Sequence, residues 1–133
     1  MKKLALILLV VFCVNTYAQK NTKISTIDFV QIVNDNKKEV VFYYQNNWEL
    51  LRKMAIKKKY IDSYQLLKTS PTKDAPFSYM LITTYADQKQ YDNREKNFEE
   101  LIKKKGDLRL LNDKKPGEFR KIIFGKDPVI HLE

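Results

Sequence analysis

Residues 77–106, FSYMLITTYADQKQYDNREKNFEELIKKKG, place a strand, a capped helix and a helix stop in direct succession. The first nine residues are rich in aromatic and β-branched side chains, which is typical of a largely buried strand. Asp87 stands where a helix N-cap is expected, and Gln90 three residues later can complete a capping box. Apolar residues then recur at helical spacing, and three lysines followed by Gly106 indicate the helix end. The stretch predicts a fold that combines sheet and helix.

The rest of the chain is predicted to alternate between strands and helices. Before the stretch we expect a strand at 26–33, a helix from a capping box of Asn36 and Glu39 to about Lys58, and a strand at 61–69. The apolar stripe of that helix comprises Val41, Tyr44, Trp48, Leu51 and Ala55, with Val40 and Met54 on one flank. After the stretch we expect an extended piece at 108–111, a type II turn at 115–118, a strand at 119–124 and an irregular tail after Gly125.

This β-α-β-β-α-β order predicts an α+β domain of the ferredoxin-like plan, with a four-stranded antiparallel sheet and two helices on one face. In a monomer, the other face of such a sheet is usually polar. Apolar residues instead occupy both parities of the third and last strands: Tyr79 and Leu81 against Met80 and Ile82, and Ile122 and Phe124 against Phe119 and Ile123. We therefore expect a homodimer that joins two subunits through the open sheet face.

On this element order and on the sequence Leu81-Ile82-Thr83-Thr84-Tyr85-x-Asp87-x-x-x-Tyr91, residues 26–124 resemble the dimeric α+β barrel superfamily. Its members include stress-responsive barrel proteins, cofactor-independent monooxygenases of the antibiotic-biosynthesis type, and haem-degrading or haem-binding enzymes. The resemblance implies a barrel dimer with its ligand between sheet and helices. The haem-degrading members use a histidine on the second helix, and residues 92–105 contain none. We therefore expect no cofactor.

The N-terminus has the features of a secretory signal peptide. Two lysines precede 11 uncharged, mostly apolar residues at 4–14, a run too short for the roughly 20 residues that span a bilayer. Small residues lead up to Ala18, after which we expect cleavage; Phe12 before Cys13 argues against a lipoprotein site. The predicted organisation is a signal peptide at 1–18, a flexible segment at 19–25, the barrel domain at 26–125 and the tail at 126–133. Export would place the protein in the periplasm or outside the cell, with no transmembrane segment.

Composition argues against several classes of function. The formal net charge is +9, but the lysines cluster at predicted helix ends, so we expect solvated ends or a small anionic ligand and no nucleic-acid partner. His131 is the only histidine and Cys13 the only cysteine, which disfavours a metal site and a Ser-His-acid hydrolase. The chain has three glycines and no glycine-rich phosphate loop.

Five side chains remain as candidates for a ligand site: Tyr44, Asn47, Trp48, Tyr91 and Arg94. Helical spacing places Asn47 beside the buried stripe of the first helix and Arg94 inside the stripe of the second. A buried amide or guanidinium requires a partner, and Arg94 would select a carboxylate or other anion. The alternatives are that the three aromatic residues are plain core, that Arg94 extends to water, and that Asn47 is solvated.

Two functions remain open at this point. The first is a non-catalytic, exported barrel dimer that binds a partner protein or a small apolar or aromatic compound, with or without an anionic group. The second is a cofactor-independent oxygenase-like enzyme, in which Asn47, Trp48 and the tyrosines position an electron-rich aromatic substrate. The sequence offers no evident general base, which favours the first.

Overall fold

The computed structural model of the protein describes residues 20–132, so the predicted signal peptide lies outside the described part. The strands are β1 (Ile24–Ile32), β2 (Ser63–Lys68), β3 (Tyr79–Tyr85) and β4 (Arg120–Ile130). The helices are α1 (Lys37–Tyr43), α2 (Glu49–Lys57), α3 (Gln88–Asp92), α4 (Arg94–Lys105) and α5 (Pro116–Phe119). A π-helical turn (Tyr44–Trp48) joins α1 to α2. Within 20–132, no helix has both the length and the apolar character needed to cross a membrane.

The four strands form one open sheet in the order β2-β3-β1-β4. Every neighbouring pair is antiparallel, and β1 and β3 occupy the centre. Directly opposed residues share a face, so Val30 lies beside Tyr79 and Phe29 beside Met80 on opposite sides of the sheet. The structure confirms the prediction of an α+β fold built on a four-stranded antiparallel sheet.

The helices pack against the sheet face that carries Val30, Tyr79 and Leu81. One core cluster joins these residues to Val40, Tyr44 and Phe119. A second cluster joins Tyr85 of β3 to Ala55 of α2 and Leu101 of α4. The two clusters leave a gap between the helices and the β4 side of the sheet, and this gap contains the candidate site.

Local capping signals are confirmed at one helix and wrong at another. The Asp87 side chain accepts a hydrogen bond from the Gln90 amide at 2.8 Å, as predicted for the start of α3. Asn36 precedes α1 but makes no cap bond; its side chain donates to the Val33 and Glu118 carbonyls. Glu39, the other half of the predicted box, instead pairs with Lys114 at 3.0 Å. Tertiary partners thus replace the predicted local bonds.

The helix predicted after β3 is interrupted once. α3 and α4 meet at Asn93, whose side chain donates to the Lys89 carbonyl. The end of α4 is as predicted, because Gly106 adopts a φ of 80°, which favours glycine. Residues 108–111 do not form a strand, contrary to the extended piece expected there.

The C-terminal part departs furthest from prediction. Residues 116–119 form the helical turn α5 in place of a type II turn, and the side chain of Phe119, the last residue of this turn, is buried. β4 continues to Ile130, so the irregular tail predicted after Gly125 is wrong. Pairing with β1 supplies the reason, because Ser25 and Ile24 lie opposite Val129 and Ile130. The long central strand provides hydrogen-bond partners that the local sequence of 126–130 does not indicate.

A β-bulge in β4 separates two residues that were predicted to share a face. Phe124 lies opposite Phe29, but Ile122 lies opposite Val30, so Ile123 is an extra residue in β4. Phe124 therefore faces the open side of the sheet and Ile122 the helix side.

The open sheet face carries an aromatic patch, defined as Phe29, Phe77 and Phe124. The rings of Phe29 and Phe124 stack with centroids 4.3 Å apart, and Phe77 meets Phe29 edge-on at 4.8 Å. Ile27, Leu67, Met80 and Ile82 extend this face. Phe124 is 46% exposed, and the helices pack on the opposite side of the sheet. The predicted apolar character of this face is confirmed.

Candidate functional site

The π turn between α1 and α2 positions three of the five predicted site residues. A π turn adds one residue to the helix and rotates the next helical segment relative to an uninterrupted α-helix. Tyr44 and Asn47 are consequently both buried, at 3% exposure each, although an α-helical wheel puts Asn47 on the flank. Trp48 is half-buried and meets Tyr64 edge-on at 5.8 Å. The turn thus directs a phenol, an amide and an indole towards the same region.

Asn47 holds the segment after α4. Its side-chain oxygen accepts from the Arg109 amide and its side-chain nitrogen donates to the Arg109 carbonyl, both at 2.8 Å. The same nitrogen donates to the Tyr43 carbonyl at 2.9 Å. The amide is therefore satisfied by backbone groups, and its partner lies 62 residues away. Asn47 shapes the site by fixing this segment in place.

A cavity of about 500 Å³, here called the first chamber, lies between β1, β4 and the π turn. Its lining is mainly aromatic and aliphatic: Tyr43, Tyr44, Trp48, Leu51, Leu81, Ile102, Leu108 and Ile122. Two apolar side chains lie at the entrance, where Ile102 and Leu108 are 53% and 54% exposed. Among the polar lining residues are Asp28, Asn47, Arg52 and Arg120.

Arg52 is buried between two aromatic rings beside this chamber. Its guanidinium carbon lies 4.3 Å from the Trp48 ring centroid and 4.5 Å from that of Phe98. Its Nε donates to the Thr83 hydroxyl at 3.1 Å. Burial lowers the pKa of Arg52 to about 10, which still leaves the group charged at neutral pH. The stack fixes a positive charge within the apolar lining.

Two side chains that line this chamber each have a polar atom with no hydrogen-bond partner among the described residues. These atoms are the Tyr44 hydroxyl and Arg120 Nε, and both are buried. Arg120 otherwise donates from Nη2 to the Tyr43 hydroxyl at 3.3 Å and lies 5.0 Å from the Tyr43 ring centroid. Burial raises the pKa of the Tyr44 phenol, so Tyr44 stays protonated and can donate.

Asp28 lies in the middle of β1 and faces the helices, in the cleft beside these cations. Burial raises the pKa of its carboxyl group; nearby Arg52 opposes this rise and Asp127 adds to it. On the neighbouring strand Gly125 makes room for the carboxylate, because a Cβ there would lie 2.8 Å from Asp28 Oδ1. A carboxyl group that holds its proton more tightly than usual therefore lines the first chamber.

A second chamber of about 480 Å³ adjoins the first and shares Asp28, Leu51, Arg52 and Ile102 with it. Arg94 lines this second chamber, but its guanidinium already has partners. It donates to the Tyr91 carbonyl at 3.0 Å, lies 4.0 Å from the Tyr91 ring centroid and pairs with Asp127 at 3.7 Å. The Tyr91 hydroxyl also bonds Asp127. Protein groups thus engage Arg94 and Tyr91, and the pair lies apart from Trp48.

The structure therefore brings Tyr44, Asn47 and Trp48 together and leaves Tyr91 and Arg94 outside the first chamber. Sequence reasoning missed Asp28, Arg52 and Arg120. Two of them carried a signal: Asp28 shares strand parity with Val30, and Arg52 follows Trp48 by one helical turn. Arg120 had none, because its placement depends on the register of β4.

The only histidine does approach a serine, at the end of β4. His131 Nε2 and Ser25 Oγ are 2.7 Å apart and share a hydrogen bond. Ser25 is 3% exposed and its hydroxyl also bonds Thr84. This buried pair fastens the end of β4 to β1 and offers no accessible nucleophile.

Residues 20–132 contain no group of three or more His, Cys, Asp or Glu side chains arranged to hold a metal ion. The polar side chains that line the first chamber are instead two carboxylates, two guanidinium groups, an ammonium group, an amide and two phenols. Comparison with models of known protein families, with curated proteins and with solved structures gives no match to this chain.

Proposed function

We propose that the protein binds a small aromatic or apolar molecule carrying an anionic group, and that the site is the first chamber. The observation that carries this proposal is the pair of unpartnered atoms, the Tyr44 hydroxyl and Arg120 Nε. A buried polar atom without a partner costs about 1–3 kcal/mol, and native proteins contain few. One anionic oxygen that accepts from both groups would remove both penalties.

The size and lining of the chamber suit the rest of such a ligand. A volume of about 500 Å³ lies within the usual range for small-molecule sites. Trp48, Leu51 and Leu81 provide apolar surface, and Tyr43 and Tyr44 provide ring faces and edges. The body of the ligand would bury against these residues while its anionic end meets Arg120.

The sequence predicts Arg94 as the residue that binds an anion. In the first chamber we assign this role to Arg120 instead. Arg94 already pairs with Asp127, so a ligand would have to displace a protein carboxylate. Arg120 and Arg52 place two cations in the lining against the single carboxylate of Asp28, while Lys105 and Asp107 at the entrance offset each other. This excess of positive charge favours an anion.

Trp48 gives a direct test of binding, because it is the only tryptophan and lines the chamber. We expect titration with phenylacetate, an aromatic carboxylate, to change the intrinsic fluorescence in a saturable way. Arg120→Met keeps most of the side-chain volume and removes the charge. It should weaken binding roughly 10–100-fold, as expected for loss of a charge-assisted hydrogen bond.

Arg94→Met is the matched control, since it makes the same change at an arginine that already has a carboxylate partner. It should leave the phenylacetate affinity within about twofold of the parent value. Equal losses in both variants, or no fluorescence change in the parent protein, would overturn the proposal. Native mass spectrometry of protein purified from its own source adds a check, because a retained ligand should appear as added mass.

We further propose that two subunits associate through their open sheet faces as a barrel of the ferredoxin-like, dimeric α+β type. The strand order β2-β3-β1-β4 supports this plan, since it places the strands of the two βαβ halves alternately in one antiparallel sheet. The aromatic patch supports association, because stacked phenylalanines on an uncovered sheet face, one of them 46% exposed, are typical of an interface. A second copy presents a surface of the same kind.

Export is part of the same proposal. It rests on the charged start, the short apolar run and the small residues before Gln19. N-terminal sequencing of the exported protein should begin at Gln19. An intact Met1 on the mature protein would remove the argument for the periplasm or the exterior.

A further inference from the structure

Asp28 is a charged residue in a place where its charge is costly. It lies on a central strand, on the face covered by helices, between Val30 and Thr26. No group in the described part of the chain donates a hydrogen bond to its carboxylate, and Arg52 acts on it only through charge. A structural carboxylate inside a protein is normally paired or hydrogen-bonded. Asp28 is half-buried and lines the first chamber, so its unpaired carboxylate is free to act on a bound molecule.

The surroundings of Asp28 combine a base with groups that stabilise negative charge. Asp28, Tyr44 and Arg120 line one chamber, and Asp28 lies close enough to Tyr44 to influence the titration of the phenol. Tyr44 and Arg120 each have an unsatisfied polar atom. A carboxylate and two side chains with unsatisfied donors that line one mainly apolar chamber are the kinds of group needed to move a proton from a substrate whose oxygen becomes negative.

We propose that Asp28 acts as the general base that removes a proton from the carbon next to a carbonyl group in an aromatic 2-oxo acid or related anionic compound bound in the first chamber. This inference rests on the proposed function, since the same site must first bind an anionic aromatic molecule. It adds the substrate class and a reaction: enolisation, followed by return of the proton.

The step balances without any further reactant. The substrate C–H bond breaks and its proton passes to a carboxylate oxygen of Asp28. The electron pair left on carbon forms a carbon–carbon double bond, and the carbonyl π electrons move onto oxygen. Arg120 and Tyr44 donate to the oxygen that becomes negative. Transfer of the proton from Asp28 to the oxygen gives the enol tautomer, with no change of oxidation state. If the proton on Asp28 first exchanges with solvent, return to the carbon regenerates the substrate with a deuteron in place of the proton.

Geometry at Gly125 supports a dedicated place for the carboxylate. A Cβ at this position would meet Asp28 Oδ1 at 2.8 Å and the Ile27 carbonyl at 3.3 Å. The absence of a side chain at 125 thus allows β4 to pair beside Asp28 without displacing it. A methyl group there would push the carboxylate away from its present position while leaving its charge intact.

The experiment uses phenylpyruvate in D₂O and follows exchange of its benzylic protons by NMR. The parent protein should accelerate this exchange above the buffer rate. Asp28→Asn should reduce the acceleration at least about 100-fold, the lower end of what a general base contributes. The affinity for phenylpyruvate, measured by Trp48 fluorescence, should stay the same or improve in this variant, because the variant removes a negative charge from an anion site.

Two further variants distinguish loss of the general base from a general disturbance of the structure. Asp113→Asn removes an exposed carboxylate that lines neither chamber and should exchange like the parent. Gly125→Ala keeps Asp28 but displaces its carboxylate, and should slow exchange while binding persists. Equal exchange in the parent and Asp28→Asn would overturn the inference.

The outcomes also distinguish this inference from the proposed function on which it rests. If the parent binds phenylpyruvate but does not accelerate exchange, the base role is wrong and ligand binding stands. If the parent binds neither phenylpyruvate nor phenylacetate, both are wrong. Consumption of dioxygen in place of proton exchange would overturn enolisation in favour of the oxygenase-like alternative.

Discussion

The two faces of the sheet partly reverse the usual distribution of polarity, since polar groups lie beside the core of the covered face and aromatic rings lie on the open face. The face covered by helices holds Asp28, Arg52 and the unpartnered atoms of Tyr44 and Arg120. The uncovered face holds the stacked rings of the aromatic patch. A covered face normally collects apolar residues and an open face polar ones. On the proposals above, each face has a partner of a different kind: an anionic ligand for the covered face and a second subunit for the open face.

The largest expected effect comes from disrupting the dimer interface proposed for the open face. Phe124→Lys puts a charge into the centre of the aromatic patch, and we expect the dimer dissociation constant to rise at least about 100-fold. Ile122→Lys is the matched control. It makes a similar change two residues away, but the bulge turns Ile122 towards the helices.

Light scattering at micromolar concentration should then report a dimer for the parent and for Ile122→Lys, and a monomer for Phe124→Lys. A monomeric parent would remove the dimer proposal. A dimer that survives Phe124→Lys but not Ile122→Lys would show that association uses the other face.

The sequence predicts which face of the sheet a residue occupies only where the strands pair without a bulge. The alternation in β3 predicts both faces correctly, because its seven residues pair without a break. In β4 the extra Ile123 has no local signature, so the sequence pairs Ile122 with Phe124 and the structure separates them. Asp87 illustrates the opposite case, since a cap bond between near neighbours requires no tertiary information.

The next effect concerns Asn47, a polar residue of the covered face whose side chain has hydrogen-bond partners within the protein. Asn47→Ala removes three hydrogen bonds and leaves the Arg109 amide without its partner. We expect the free energy of unfolding to fall by about 3 kcal/mol, because buried backbone groups become unsatisfied. Chemical denaturation measures this loss.

Asn46→Ala is the matched control, since Asn46 makes one bond to the Phe42 carbonyl in the preceding turn. Its cost should stay below about 1 kcal/mol. Equal costs at 46 and 47 would show that the Arg109 bonds contribute little to stability. The comparison also explains why Asn47 was predicted as a site residue: the sequence places it beside the buried stripe but does not show its partner 62 residues away.

A smaller effect is expected on the pH dependence of stability, through Asp28 on the covered face. The folded protein raises the pKa of Asp28, so folding favours the protonated carboxyl group. The contribution of Asp28 to stability is therefore most favourable below its ordinary pKa of 3.8 and is lost as the pH rises through the raised value. Asp28→Asn cannot titrate and keeps the shape of the side chain.

We expect Asp28→Asn to be more stable than the parent at neutral pH, by at most about 1 kcal/mol because the open cleft admits water. The difference should vanish in strongly acidic solution, where the parent carboxyl is neutral. Thermal unfolding over a pH series measures this trend. A parent that is more stable than the variant at neutral pH would indicate a hydrogen bond to the carboxylate, contrary to the exposed base inferred above.

The smallest effect on stability is expected at Tyr44. Its hydroxyl is buried with no partner among the described residues, so Tyr44→Phe removes an unsatisfied atom and leaves the ring packing against Tyr43 and Tyr79 unchanged. Stability should stay level or rise by up to about 1 kcal/mol, whereas loss of a hydroxyl that is hydrogen-bonded in the free protein would lower it. The same variant should weaken phenylacetate binding several-fold, since a donor to the anion is gone.

Tyr79→Phe is the matched control, because the Tyr79 hydroxyl is also unpartnered but Tyr79 does not line the chamber. Its stability should change in the same way while the affinity stays at the parent value. A loss of stability in Tyr44→Phe with no change in affinity would mean that the hydroxyl serves packing, and the covered face would then need no ligand at this position.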